Sequence, residues 1–306
     1  MAVTVNRAFE LPDHWEQIRR WQHLDRLHIA SLNEAVCRVE DNGVVRLANL
    51  VSRVTDSTGH ALLVDELRSA ESAGHKIDHD NLWPGQTLVV EEASTPFHAD
   101  AVRLKKDYAT GAEADQSALA YVHAGLEGWT VGAAMYANQD NQLCRLVAVG
   151  DATRQARILM RGTPSADFGL GLGLVTEQAD NNDPTTGEIV GGGVTTYPTR
   201  NMFVMSAAPA AGVLKMFWNT VDPDHATQSL TISNIDSGDW PAMLSALRVF
   251  GDFNGGGAAN TVDLGLHSLW FAPVALHLSG TGYETRTAER EALMANWSEA
   301  TGIALT

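Results

Sequence analysis

From Val36 to Leu276 the chain repeats one unit: a short run of Val, Leu, Ile, Met or aromatic residues closed off by Gly, Asp, Asn or Pro. "TLVVEEA" (87–93), "ALAYVHA" (118–124), "WTVGAAMYA" (129–137), "CRLVAVGD" (144–151), "QARILMRG" (155–162) and "FGLGLGLVTE" (168–177) begin the series. "RNMFVMSAA" (200–208), "GVLKMFWNT" (212–220), "QSLTISNI" (228–235), "SALRVFGD" (245–252) and "DLGLHSLWFAPVAL" (263–276) continue it. Several alternate with period two, the mark of a strand with one face buried. In "GVLKMFWNT", Val213, Lys215, Phe217 and Asn219 oppose Leu214, Met216, Trp218 and Thr220. Short, evenly spaced strands with no helices between them predict antiparallel sheets, stacked as a sandwich or closed as a barrel.

Few segments depart from this pattern. Pro12 and Asp13 start a helical signal in which Trp15, Ile18 and Trp21 recur every three residues. Its continuation, through Leu27 and Ile29, reads equally well as a strand. Asp65 to Ala73 suggests a short helical turn. Residues 72–86, 177–198 and 251–262 read as polar or glycine-rich loops. At the end, "TAEREALMANW" places Leu293 and Trp297 four apart, on one face of a helix. In "LGLHSLWFAPVAL", strict alternation would set Leu264 and Leu266 on one face and His267, Leu269 and Phe271 on the other. The simplest partition is an N-terminal helical extension, 1–30, followed by one sandwich, 31–306. The C-terminal helix is expected to close an open end of that sandwich and shield its edge.

The 37 acidic and 21 basic residues leave a net charge of −16. That argues against nucleic acid and anionic membranes as partners and favours solubility. No basic segment leads into an apolar core near the start, so no secretory signal is expected. No run approaches the roughly 18 apolar residues of a membrane-spanning helix, so no membrane insertion is expected. Cys37 and Cys144, the two cysteines, are too few for a disulfide framework and read as buried thiols.

The order of elements resembles the concanavalin A-like lectin/glucanase (laminin G-like) jelly roll. The resemblance is carried by "GVLKMFWNT", "ALRVFGDFNGGG" (246–257) and "DLGLHSLWFAPVALHLSGTGYETRTAEREALMANW". The Asn-Gly usual in that family is Asn219-Thr220 here. In the N-terminal half, "LVSRVTDSTGHALL" (50–63), "GWTVGAAMYANQ" (128–139) and "RLVAVGDAT" (145–153) resemble the versions found in tailed-phage virion proteins. The resemblance implies an all-β, antiparallel, two-sheet jelly-roll sandwich with a short C-terminal helix. Such a fold hosts lectins, glycosidases and adhesion modules, so it does not choose among them.

Chemistry is sparse. Glucanases of this fold carry three acids on one strand face as ExDxxE, and neither "LVDELRSAE" (63–71) nor "LVVEEAST" (88–95) has that spacing. GxSxG, HExxH and phosphate-binding glycine loops are missing too. Asp180, Asn182, Asp183 and Glu188 cluster in one loop, which suits calcium; His75, Asp78, His79 and Asp80 would suit a transition metal. The plainer reading of both is a solvated loop. A sugar site needs an aromatic platform with amide partners. Trp240, Asn254 and Trp83 lie in loops and are the candidates, with sealing of the sandwich edge as the plainer role. Trp129, Trp218 and Trp270 sit in strand runs and read as core. Trp15, Ile18 and Trp21 would either pack on the sandwich or anchor a partner protein.

These readings converge on an expectation: a non-enzymatic virion surface protein, a head spike, fibre or tail-associated component, that binds host cell-surface polysaccharide. Other virion proteins would be its partners, and a homo-oligomer is left open. The competing readings are a glycoside hydrolase or lyase of the same fold and a purely structural virion component.

Overall fold

The computed structural model describes short strand segments between His28 and Lys106 and, further on, residues 128–138, 143–150, 154–162, 167–175, 187–196, 199–238, 240, 246–249, 263–272 and 274–306. The N-terminal strands are β1 (His28–Ser31), β2 (Cys37–Val39), β3 (Val45–Ala48), β4 (Val54–Thr55), β5 (Ala61–Val64), β6 (Glu66–Arg68), β7 (His75–His79), β8 (Gln86–Val90) and β9 (Leu104–Lys106). Next come β10 (Trp129–Asn138), β11 (Leu143–Gly150), β12 (Gln155–Gly162), β13 (Asp167–Val175), β14 (Gly187–Thr196) and β15 (Thr199–Ala208). The last strands are β16 (Val213–Trp218), β17 (Ser229–Ile232), β18 (Ala246–Val249) and β19 (Asp263–Ala272), followed by helix α1 (Glu284–Thr301).

Two antiparallel sheets form the sandwich. Sheet I runs β17-β16-β15-β10-β19-β8-β7, and β1 shares with β8 the second edge of β19. Sheet II runs β14-β13-β12-β11-β18. The crossings have jelly-roll character. β10 and β11 are consecutive but lie in different sheets. β12 to β14 then meander through sheet II and β15 to β17 through sheet I. β18 returns beside β11, and β19 beside β10. β2, β3 and β6 form one small sheet, and β4, β5 and β9 another.

Pairing register explains the core. Val131 stands opposite Met205, Met205 opposite Met216, and Met216 opposite Leu230. All four are buried, as are Trp129, Ala133, Phe203, Leu214 and Trp218 on the same face of sheet I. On sheet II, Val147, Val149, Ala156, Ile158, Leu170, Leu172 and Leu174 supply the matching apolar face. Trp129, Trp218 and Trp270 are thus buried, as strand placement predicts.

α1 does not cap an end of the sandwich. It lies across the outer face of sheet I, where Leu293, Met294 and Trp297 meet Ala134, Met202, Val204, Phe217 and Trp270 from four central strands. Arg290, Leu293, Met294, Trp297 and Thr301 recur every three or four residues and form the buried stripe. Trp297 stacks edge-to-face on Trp270, centroids 5.4 Å apart, and its indole N–H donates to Ser268 Oγ at 2.8 Å. Trp270 lies flat on Gly132, where any Cβ would collide with the indole ring. Full burial of a side chain of this size stabilises by about 3 kcal/mol. Gly302, at φ +68°, ends the helix in the left-handed conformation and donates its N–H to Ser298 O.

Other sequence expectations need correction. Strict alternation in β19 fails, because Ala134 pairs with Ser268 while Met135 pairs with Leu266, leaving His267 as a bulge. Leu266 belongs to the inner face, yet Ser268 and Trp270 belong to the face under α1. Residues 75–79 and 187–196 are strands, not loop, and 66–68 is a strand, not a helical turn. β1 begins within the stretch read as an extension. The Pro12–Leu24 helix, the strand at 118–124 and the loop at 251–262 lie outside the described residues, as do the cysteine side chains.

Candidate functional site

The described structure offers two polar constellations, one on each sheet. On sheet I, Thr130 pairs with Ser206, and Ser206 with Lys215, in one row across three strands. The segment after β19 crosses this row and is pinned to it. Thr130 Oγ1 donates to Val274 O at 2.7 Å and accepts from Leu276 N at 3.0 Å. It also lies 2.9 Å from Ser206 Oγ, which in turn lies 2.8 Å from His277 Nδ1.

Donor accounting fixes the protons. The Thr130 proton is committed to Val274 O, so the bond between the hydroxyls uses the Ser206 proton. His277 must then be the Nδ1–H donor to Ser206, leaving Nε2 bare. Nε2 has no hydrogen-bond partner among the described residues. Burial holds the His277 pKa down to about 4 from its ordinary 6.5, with Lys215 and Arg290 lowering it further and Asp224 opposing. Lys215 is ion-paired with Asp224. Arg290 donates to Val221 O and Leu276 O, both at 2.7 Å, and ties the helix to the pinned segment.

A serine whose proton is given to threonine, and which accepts from histidine, is wired against nucleophile activation. Both hydroxyls are fully buried. This constellation holds the strap that carries α1, and sequence reasoning passed over it because its members lie 71 to 146 residues from their hydrogen-bond partners along the chain and meet only when β10, β15 and the segment after β19 come together.

The second constellation is on sheet II. Register gives Arg157 a place opposite Ala148, and Ala148 a place opposite Arg248. Arg161 lies four residues along β12 from Arg157, and Arg145 stands opposite Leu159 between them. All four arginines therefore hold positions on the face turned away from the sandwich interior. Gly173, Gly171 and Gly169 stand opposite Arg157, Leu159 and Arg161, and Gly191 stands opposite Gly171. Ile189 and Val194 hold the positions opposite Gly173 and Gly169. A Cβ at Gly173 would sit 3.2 Å from Cγ and Nε of Arg157, so that side chain lies along the glycine strip. Ala148, Gly150, Gln155, Leu159 and Gly173 are buried, and Arg157 is half-buried. The acid at a strand position of this face is Asp167, at the start of β13.

The sequence candidates fare differently. Trp240 is described and is 4% exposed, so it offers no open ring face; burial of its large apolar surface makes it part of the packed interior. Asn254, Trp83, Asp180, Asn182 and Asp183 lie outside the described residues, as do Trp15, Ile18 and Trp21. The side chains of His75, Asp78 and His79 lie outside them too. Among the described residues, no group of three or more His, Cys, Asp or Glu converges to hold a metal, and no helix is long and apolar enough to cross a membrane. Asn219, singled out for its unusual partner Thr220, takes φ +52°. Its side chain accepts from Met202 N at 2.9 Å and donates to Asn201 Oδ1 at 2.7 Å. An asparagine tolerates that left-handed backbone and bonds the neighbouring strand as well.

No protein-family model matches the chain, and no curated protein sequence matches it. Solved structures do. The chain is similar to the CBM40 of a Ruminococcus gnavus IT-sialidase bound to α2,6-sialyllactose, at 14% identity and TM-score 0.39, over 67% of this chain and 96% of that one. It is similar to the binding domain of botulinum neurotoxin DC in complex with SialylT, at 7% identity and TM-score 0.43, over 90% of this chain and 52% of that one. It is also similar to a leech intramolecular trans-sialidase, at 16% identity and TM-score 0.38, over 72% of this chain and 27% of that one.

Proposed function

We propose that this protein is a non-enzymatic, lectin-like surface component of a virion that binds host cell-surface polysaccharide. The observation that carries the reading is the two-sheet antiparallel sandwich. Sheet I is closed on its outside by α1, and the two antiparallel sheets stack as a sandwich of the kind on which lectins are built. The virion setting is supported by the resemblance of 50–63, 128–139 and 145–153 to tailed-phage virion proteins. The wiring of Ser206 and His277 gives no support to a hydrolase built on that pair.

A glycan array read alongside a reducing-sugar release assay tests the binding reading. Binding without sugar release is expected. Release of sugar would replace the reading with a glycosidase or lyase, and failure to bind any polysaccharide would leave a structural component. Sialyllactose belongs on that array, as the sugar bound in one of the similar structures. Immunogold labelling of intact particles tests the location.

A further inference from the structure

We propose that the segment 274–277 and α1 form an acid-released cover: protonation of His277 frees them together from the outer face of sheet I while the sandwich stays folded.

The wiring leaves His277 one place for a further proton and nothing to receive it. Nδ1 already donates to Ser206 Oγ at 2.8 Å, so a second proton must go to Nε2. Nε2 is buried and has no hydrogen-bond partner among the described residues, and the residue as a whole is 5% exposed. Two of the charges around it have the wrong sign. Lys215 faces it from β16 and Arg290 from α1, whereas β10 and β15 present the uncharged Thr130 and Ser206. Asp224, in the loop after β16, is the acid that faces it among the described residues; it is exposed and already paired with Lys215. An imidazolium here would be a buried cation facing two others, and an unpaired buried charge is relieved by leaving. Burial first, then Lys215 and Arg290, hold the His277 pKa down to about 4, in keeping with that wiring.

Release does not stop at the ring. The other bonds of the segment run through the same two hydroxyls: Thr130 bonds Val274 O and Leu276 N, and Ser206 bonds Thr130. Water entering where the ring sat competes for all of them. Arg290 donates to Leu276 O at 2.7 Å, so α1 is tied to the residue beside His277. Beneath α1 lie Ala134, Met202, Val204, Phe217 and Trp270, so release uncovers an apolar face. β10, β15 and β16 keep their pairing and their buried inner face, so the sandwich retains what holds it together.

The test is hydrogen–deuterium exchange of the full chain from about pH 7.5 to about pH 4, corrected for intrinsic exchange, beside binding of a hydrophobic dye. The cover is favoured fully above about pH 6.5 and loses ground as the pH falls. A histidine of ordinary pKa 6.5 when released and about 4 when covered favours release by on the order of 100-fold over that range. Protection of residues 284–301 is expected to fall by that factor, protection of 129–138, 199–208 and 213–218 to hold, and dye fluorescence to rise. His277→Gln keeps an N–H for Ser206 but does not titrate, so its helix protection should not follow pH. Lys215→Met removes a cation that lowers the His277 pKa and should shrink the fall. Loss of protection in helix and strands together would overturn the proposal in favour of global unfolding. Unchanged helix protection in the wild type would also overturn it. A fall kept in full by His277→Gln would assign the effect to another acid, such as Asp222 or Asp224, and sink the proposal. If His277→Gln fails to fold, the Lys215→Met profile decides, and an undiminished fall there counts against His277.

Discussion

On sheet I the outer face is apolar and covered by a helix; on sheet II it sets the half-buried Arg157 among buried Ala148, Gln155, Leu159 and Gly173, with no helix from the described residues laid across it. Both sheets bury a Val, Leu, Ile and Met inner face, so the inner halves of the strands say little about role. The difference lies in every second residue. Where those residues are Ala134, Met202, Val204, Phe217 and Trp270, water must be excluded by something, and the chain supplies α1 itself. Where they are Ala148, Gln155, Leu159 and Gly173, burial is as deep, but no helix of the described residues provides it.

The comparison breaks most severely if the helix is undocked. Trp297→Ala is expected to lose about 3–5 kcal/mol in chemical denaturation, because a fully buried ring that stacks on Trp270 and bonds Ser268 is removed. A loss below about 1 kcal/mol would mean that α1 is dispensable for closing sheet I. Acid should loosen the same side. The folded protein binds a proton at His277 only below about pH 4, whereas the unfolded chain does so below about 6.5. Stability is therefore full above pH 6.5, is lost as the pH falls towards 4, and levels off beyond; the integrated loss is about 3 kcal/mol. Denaturation midpoints followed across that window, in wild type and His277→Leu, check this. The variant should lack the slope.

Smaller effects sharpen the contrast. Asn219→Ala is expected to cost about 1–2 kcal/mol, since it strains a φ of +52° and leaves Met202 N without its acceptor. Asn219→Gly should relieve the strain alone. Gly173→Ala tests sheet II. Its stability cost should stay near 1 kcal/mol, since the added methyl would sit 3.2 Å from Cγ and Nε of Arg157 and the side chain must give way by only a few tenths of an ångström. Thermal unfolding of the variant beside the wild type measures that cost.

How much of this was legible in the sequence depends on how far apart the deciding residues lie. Period-two runs announced β10 to β13 and β15 to β19, and the four-residue spacing of Leu293 and Trp297 announced the buried side of α1. "GEIVGGGVTT" was misread because glycine erases alternation, leaving no face to recognise. "HKIDH" was misread because it is polar throughout, and Glu66–Arg68 because three residues show no period. The placement of α1 across a face rather than an end depends on which of the two apolar surfaces needs cover, a question of pairing rather than pattern. Arg157 and Arg248 are invisible as a pair, since they come to share a row only through the register of β11 with β12 and β18. Trp240 looked exposed because its neighbours are polar, but neighbours in sequence do not decide what covers a side chain.

The bulge at His267 carries a consequence for how this chain can change. A buried strand normally cannot gain or lose a residue, since every side chain beyond the change would swap sides. β19 has already taken in one residue and kept its phase: Leu266 serves the sandwich and Ser268 and Trp270 serve the helix, on either side of a residue that serves neither pairing. That makes His267 a reading-frame spacer in the literal mechanical sense. Removing it should straighten the strand without exchanging its two surfaces, so this central strand holds one position at which its length is negotiable.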